Sequence, residues 1–173
     1  ELVLGNIYFK DGQIKYKSLP FGLDSLVGRL VIGEKTLSLF GLMGAINGAN
    51  NFNCDLTVYN YLDPKFRVQG YLTLDLDLPS FLKAINAPSL NTVKVDGLIP
   101  TAVNFDFTEP VANLSFYSTL DEMLQFDLPP YIKKPQDKNY LISGKINFDT
   151  KDMNLVLDDF NIKTNKLSLT TNG

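Results

Sequence analysis

Tyr71-Leu72-Thr73-Leu74-Asp75-Leu76-Asp77-Leu78 places leucine at every even position and a residue with a polar group at every odd one. Side chains of a strand point alternately to its two faces, so this stretch makes one greasy face and one wet face. The same period of two returns in Val103-Asn104-Phe105-Asp106-Phe107 and in Ile142-Ser143-Gly144-Lys145-Ile146-Asn147-Phe148-Asp149. It returns again in Met153-Asn154-Leu155-Val156-Leu157-Asp158. The pattern predicts a mostly half-buried β-sheet protein. What it does depends on whether the apolar face closes on itself as a core or stays open to an apolar ligand.

The 173 residues, 45% of them hydrophobic, are enough for one domain with a substantial core. Sixteen basic and 19 acidic residues spread along the chain give a net charge of −3. No basic surface of the kind that binds nucleic acid is expected. No apolar run reaches the ~20 residues that a membrane-crossing helix needs, and no basic-then-apolar leader opens the sequence. The abrupt start at Glu1-Leu2-Val3-Leu4 and the strand-like end at Thr170-Thr171-Asn172-Gly173 read as a segment of something larger.

The residue inventory argues against catalysis. With no histidine, Ser-His-Asp and Cys-His chemistry is ruled out and the commonest zinc ligand is missing. The single Cys54 reads as a small buried hydrophobe beside Leu56 and Val58. No phosphate loop, dinucleotide fingerprint or nucleophile elbow is present. Asp75 with Asp77, Asp149 with Asp152, and Asp158 with Asp159 lack the spacing of a calcium loop, and solvated strand faces and turns account for them. No enzyme, cofactor or metal is expected.

Turn signals divide the chain into strands. Residues 3–10 and 13–17 flank Asp11-Gly12, which predicts a tight hairpin. Residues 27–32 and 36–40 face each other across Gly33-Glu34-Lys35. The glycine-rich stretch 41–48 reads as a strand with bulges. Further strands are expected over 52–60, 66–78, 92–99, 102–108, 111–118, 140–149, 152–157 and 160–170. A short helix is predicted over 79–85, with Pro79 in its first turn. Residues 128–137, with Pro129, Pro130 and Pro135, read as a long loop in which proline prevents ladder pairing.

Residues 28–39 align without gaps to residues 144–155: glycine, a basic residue, alternating apolar positions, a turn with lysine, and a second alternating pair. Generic hairpin grammar or a repeated β unit would both give this echo. The run from Gly12 through Tyr61 resembles the AsmA, TamB and YhdP group of bacterial envelope proteins. The likeness lies in an Asp-Gly turn, a Leu-Pro segment, a glycine-basic-apolar strand, and Leu37-Ser38-Leu39-Phe40-Gly41-Leu42-Met43-Gly44. Asp75-Leu76-Asp77-Leu78-Pro79-Ser80-Phe81-Leu82 and the closing stretch 144–173 are similar to the group's strand-helix step and meandering hairpins. The resemblance implies a taco-shaped sheet whose apolar groove carries phospholipid acyl chains across the periplasm of a Gram-negative bacterium. It also implies an inner-membrane anchor outside this segment and partners in the envelope.

The expected fold is thus all-β with one short helix: one extended, curled antiparallel sheet forming an apolar groove across residues 1–173, or alternatively a β-sandwich. About a dozen strands at ~4.8 Å would give a sheet of roughly 55–60 Å, wide enough to curl. The expected lipid-binding residues are Leu72, Leu74, Leu76, Leu78, Val103, Phe105, Phe107, Ile146, Phe148, Leu155 and Leu157; in a sandwich they would be ordinary core. Lys10, Lys15 and Lys17 are candidates for a phosphate-binding rim. Two other functions fit the same pattern: a chaperone that adds strands of outer-membrane proteins to its free edges, or a closed structural or sugar-binding sandwich.

Overall fold

The computed structural model describes residues 2–15, 22–46, 50–80, 94–121, 125–128, 132–133, 139–149, 151–152, 154–164 and 168–171. Its strands are β1 (Val3–Lys15), β2 (Gly22–Gly33), β3 (Thr36–Ile46), β4 (Asn50–Tyr59), β5 (Arg67–Leu76), β6 (Lys94–Asp96) and β7 (Ile99–Thr108). They continue with β8 (Val111–Leu120), β9 (Gln125–Leu128), β10 (Ile132–Lys133), β11 (Tyr140–Asp149), β12 (Asn154–Thr164) and β13 (Ser168–Thr171). Ten of them form one open antiparallel sheet in the order β1-β2-β3-β4-β5-β7-β8-β11-β12-β13, and β10-β9-β6 form a small second one. At ~4.8 Å per strand the large sheet is roughly 45 Å wide, narrower than the dozen strands expected. Among the described residues no second large layer faces it, so the chain builds the curled sheet and not the sandwich.

The register shows how far the alternation carries. Leu56 stands opposite Gly70, Gly70 opposite Phe105, Phe105 opposite Leu114, Leu114 opposite Ile146, and Ile146 opposite Leu157. On the other side the same row continues from Leu56 through Leu39 and Leu30 to Ile7. Directly paired residues of neighbouring strands share a face, so this apolar row crosses nine strands. The opposite face is polar. Ser38 Oγ and Thr57 Oγ1 lie 3.0 Å apart there, and Arg67 Nε donates to Asp106 Oδ1 at 2.8 Å.

Bulges keep the two faces sorted where the strands would drift out of phase. Asp11, Ser25 and Asp159 have φ of 54°, 54° and 48°, and Gly41 has 55°. Each sits at or beside a register shift: between Phe9 and Gly12, between Asp24 and Val27, between Leu39 and Leu42, and opposite the shift between Ser143 and Lys145. Gly41 N–H donates to Asp55 Oδ1 at 2.6 Å, which occupies a donor that the bulge withdraws from the ladder.

Several expectations change. Asp11-Gly12 is not a hairpin turn but a bulge inside one continuous strand, because β2 pairs with β1 on both sides of it. Of the two strands expected over 152–157 and 160–170, residues 154–157 and 160–164 likewise belong to one strand, β12, with the bulge at Asp159 between them, and Ser168–Thr171 form β13. The proline-rich stretch is not wholly a loop: Ile132 and Lys133 pair with Leu128 and Asp127. Residues 94–96, expected in the main run of strands, pair with β9 instead. Leu78, Pro79 and Ser80 are helical, entered through Asp77, whose Oδ1 accepts from Ser80 N–H at 3.2 Å as an N-cap does. The rest of the expected helix, residues 81–85, lies outside the described residues. The echo between residues 28–39 and 144–155 matches two antiparallel hairpins, β2-β3 and β11-β12.

Burial is uneven across the apolar face. Leu26, Leu42, Phe52, Cys54 and Leu74 form one buried cluster, and Ile99 with Leu120 a second. All lie toward the same end of the strands, the end from which the chain leaves β5 and β8 to build the small sheet. At the other end are the turns at 34–35, 60–66, 109–110 and 151–152, and there the apolar side chains remain half-buried. The face is therefore closed toward one end and accessible toward the other.

Candidate functional site

The apolar face gathers the side chains nominated from the sequence. Leu72, Leu74 and Leu76 of β5 stand opposite Val103, Thr101 and Ile99 of β7, while Phe105 and Phe107 continue the same face. Ile146 and Phe148 of β11 stand opposite Leu157 and Leu155 of β12 in the register. Ten of the expected positions thus share one face of one sheet by register alone. The eleventh, Leu78, lies just past β5 in the helical turn and packs with Leu76 against Ile99 and Leu120, beside Tyr140 and Ile142.

Exposure divides these residues by role. Leu74 is only 8% exposed and serves as core, and Val103, Phe105, Leu72 and Leu76 pack half-buried around it. Leu157 is 44% exposed, and Ile7, on the same row at the far border, 46%. These two present apolar surface to solvent. Thr101 and Ser118 interrupt the face at its closed end. Their hydroxyls lie 2.9 Å apart, and Thr101 Oγ1 also reaches Ile99 O at 3.1 Å, so the buried Ser118 is satisfied. Nothing in the alternation marks that pair, because threonine is also a good strand former.

The polar face holds two shallow depressions that the sequence reading missed. One, of about 530 Å³, is lined among others by Met43, Asn53, Thr73, Asp75, Ala102 and Tyr117. The other, of about 440 Å³, includes Gln69, Asn104, Asp106, Asn113, Ser115 and Lys145. A twisted sheet is saddle-shaped, so both of its faces carry some concavity. The odd-numbered residues of β5 and the even-numbered residues of β7 were the available signal. Charges around the second depression are paired: Arg67 and Gln69 both bond Asp106, and Lys145 Nζ meets Asp159 Oδ2 at 2.7 Å. The hydrogen bonds from Arg67 and Gln69 hold the Asp106 carboxyl below its ordinary range, and Asp159 raises Lys145 above its own.

The remaining polar candidates have structural roles. Asp149 Oδ1 accepts from the N–H groups of Lys151 and Asp152 in the turn, and Asp158 bonds Asn147 across the strand pair. Among the described residues no group of three or more Cys, Asp or Glu side chains converges as a metal cluster would. Cys54 is buried, and burial with the nearby Asp55 charge pushes its thiol up to about 11, so it is protonated and inert at neutral pH. Lys10 and Lys15 are exposed on the border strand, and Lys17 lies outside the described residues. No helix among the described residues is long and apolar enough to cross a membrane, which leaves strand-built spans unaddressed. No protein-family model, curated protein or solved structure matches the chain.

Proposed function

We propose that the chain is a lipid-binding segment of an AsmA-like envelope protein, which holds phospholipid acyl chains along the apolar face of its sheet. The observation that carries the reading is the apolar row crossing nine strands, closed over at one end of the strands and solvent-accessible at the other. An acyl chain needs only such a lining; no catalytic group or cofactor enters. Covering half-exposed apolar surface with a lipid tail is favoured by about 25 cal/mol for each Å² removed from water. The similarity of residues 12–61 and 75–82 to that group supports the same reading. With it goes a place between the inner and outer membranes of a Gram-negative bacterium, in a longer protein anchored in the inner membrane.

The test uses position on the sheet. Leu157 lies on the apolar face and Tyr117 on the polar face, at similar exposure, 44% and 49%. After incubation with vesicles of phosphatidylethanolamine and phosphatidylglycerol, native mass spectrometry of the parent protein should show bound phospholipid. Leu157→Asp should keep the parent's urea midpoint and lose most of that lipid, whereas Tyr117→Asp should keep both. Equal retention by the two variants, or no retention by the parent, would falsify the reading. Leu74→Asp is unsuited to this purpose, because a charge at a buried site unfolds the protein whatever it binds.

A further inference from the structure

Five aromatic side chains among the described residues are exposed, Tyr8, Phe40, Tyr59, Tyr71 and Tyr117, and all five lie on the polar face of the sheet. Two of them flank β7. The polar-face residues Pro100, Ala102 and Asn104 of that strand are short, and Tyr71 of β5 stands on one side of them and Tyr117 of β8 on the other, 45% and 49% exposed. The two depressions of the polar face meet here. Thr73, Ala102 and Tyr117 line the first, and the next row along the strands, Asn104 and Ser115, lines the second. Together they form a trough over β7, running from the level of Asp75 to that of Gln69, roughly 20 Å at ~3.4 Å per residue. Tyr71 and Tyr117 are two ladders and one row apart, so they leave the sheet on opposite walls, roughly 12 Å from each other before twist.

We propose that this trough binds an uncharged oligosaccharide, which lies along β7 with sugar rings against Tyr71 and Tyr117. The lining selects that chemistry. Sugar hydroxyls both donate and accept, and Asn53, Asn104, Asn113 and Ser115 supply both kinds of partner. The C–H groups of a sugar ring carry partial positive charge and suit the negative face of a tyrosine ring. Charge points the same way. Lys145 is paired with Asp159 and Arg67 with Asp106, so among the described residues around the trough no cation is left for a phosphate or carboxylate group. The exposed Asp75 at its end repels such a group. A nucleic acid would stack on the same rings, but it brings one negative charge per nucleotide to a chain of net charge −3. A peptide strand finds no ladder here, because β7 is already bonded on both sides, to β5 and β8. The trough lies on the opposite face from the apolar row, so sugar and lipid do not compete.

Isothermal titration calorimetry of the parent with cellohexaose, maltohexaose and chitohexaose tests the proposal. At least one of the three should bind, one per chain. Tyr71→Ala and Tyr117→Ala should each weaken that binding by about tenfold, at urea midpoints close to the parent's. Tyr71→Phe, which keeps the ring, should retain most of the affinity, and Ala102→Trp, which fills the floor of the trough, should abolish it. Leu157→Asp, on the other face, should bind sugar as the parent does, whatever becomes of its lipid. No binding of any of the three at millimolar sugar overturns the proposal. So does binding that both tyrosine-to-alanine variants leave intact, and so does a parent that binds oligothymidylate more tightly than every sugar.

Discussion

Gly70 shows how closely the sheet is packed at single residues. A Cβ built there would lie 2.8 Å from Asp55 O and 2.9 Å from Leu56 Cβ, beneath the ring of Phe105. Two of those neighbours cannot swing away, one being backbone and the other a Cβ bonded directly to it. Gly70→Ala should therefore cost about 1–3 kcal/mol of overpacking, more than the ~0.5–1 kcal/mol that the lost glycine entropy returns. Gly5, on the same face of β1, has nothing closer to its built Cβ than Ile32 Cδ1 at 3.8 Å. Gly5→Ala should be neutral or slightly stabilising, and urea unfolding of the two variants compares them directly. On the other face, Asp106 sets a pH dependence. Its carboxyl is held below the ordinary value by Arg67 and Gln69, so its contribution is fully present above the unfolded carboxylate pKa and is lost as pH falls through the lowered one. The pair is exposed and its contribution small. Asp106→Asn should be less stable than the parent at pH 6–7, and urea midpoints measured on acidification should converge.

At the scale of elements, the bulges matter more than the strands between them. Ser25 occupies φ 54° between the paired positions Asp24 and Val27, a conformation that a β-branched side chain resists. Ser25→Val should cost about 1–2 kcal/mol while Ser25→Gly is tolerated, as read from urea midpoints. These kinks also mark where sequence reading stopped working. Asp-Gly serves a two-residue turn and a bulge equally well, since both need a residue comfortable at positive φ; only the partner strand decides, and β2 supplies pairing on both sides of Asp11. Gly41 was legible as a bulge because glycines crowd around it. Asp159 was not, because an aspartate after an alternating run looks like the end of a strand. The pairing of Ile132 with Leu128 was hidden by flanking prolines that forbid long ladders but not a two-residue one.

At the scale of the whole molecule, the face was legible and its depth was not. Period two fixed which of Leu72, Val103, Phe105, Ile146 and Leu157 point the same way, because the large sheet follows chain order with only β6, β9 and β10 set aside, so every pairing in it is antiparallel. Leu72, Leu74 and Leu76 are equivalent in that pattern, yet only Leu74 is buried, since burial depends on the cluster it joins, with Leu26, Leu42, Phe52 and Cys54 from strands distant in sequence. The Thr101–Ser118 contact belongs to the same blind spot. Lipid capture is therefore a property of the assembled sheet, and the substitution that tests it, at Leu157, lies on the apolar row that only the pairing of strands creates.

The sheet order has a mechanical consequence. β1 and β13 lie at opposite borders, and the large sheet follows chain order from one to the other. A pull applied across the sheet between those two strands passes through every ladder in series, so the shortest, the four-position pairing of β12 with β13, yields first. Under tension such a molecule unzips from its rims at modest, nearly steady force, instead of holding firm and then rupturing all at once.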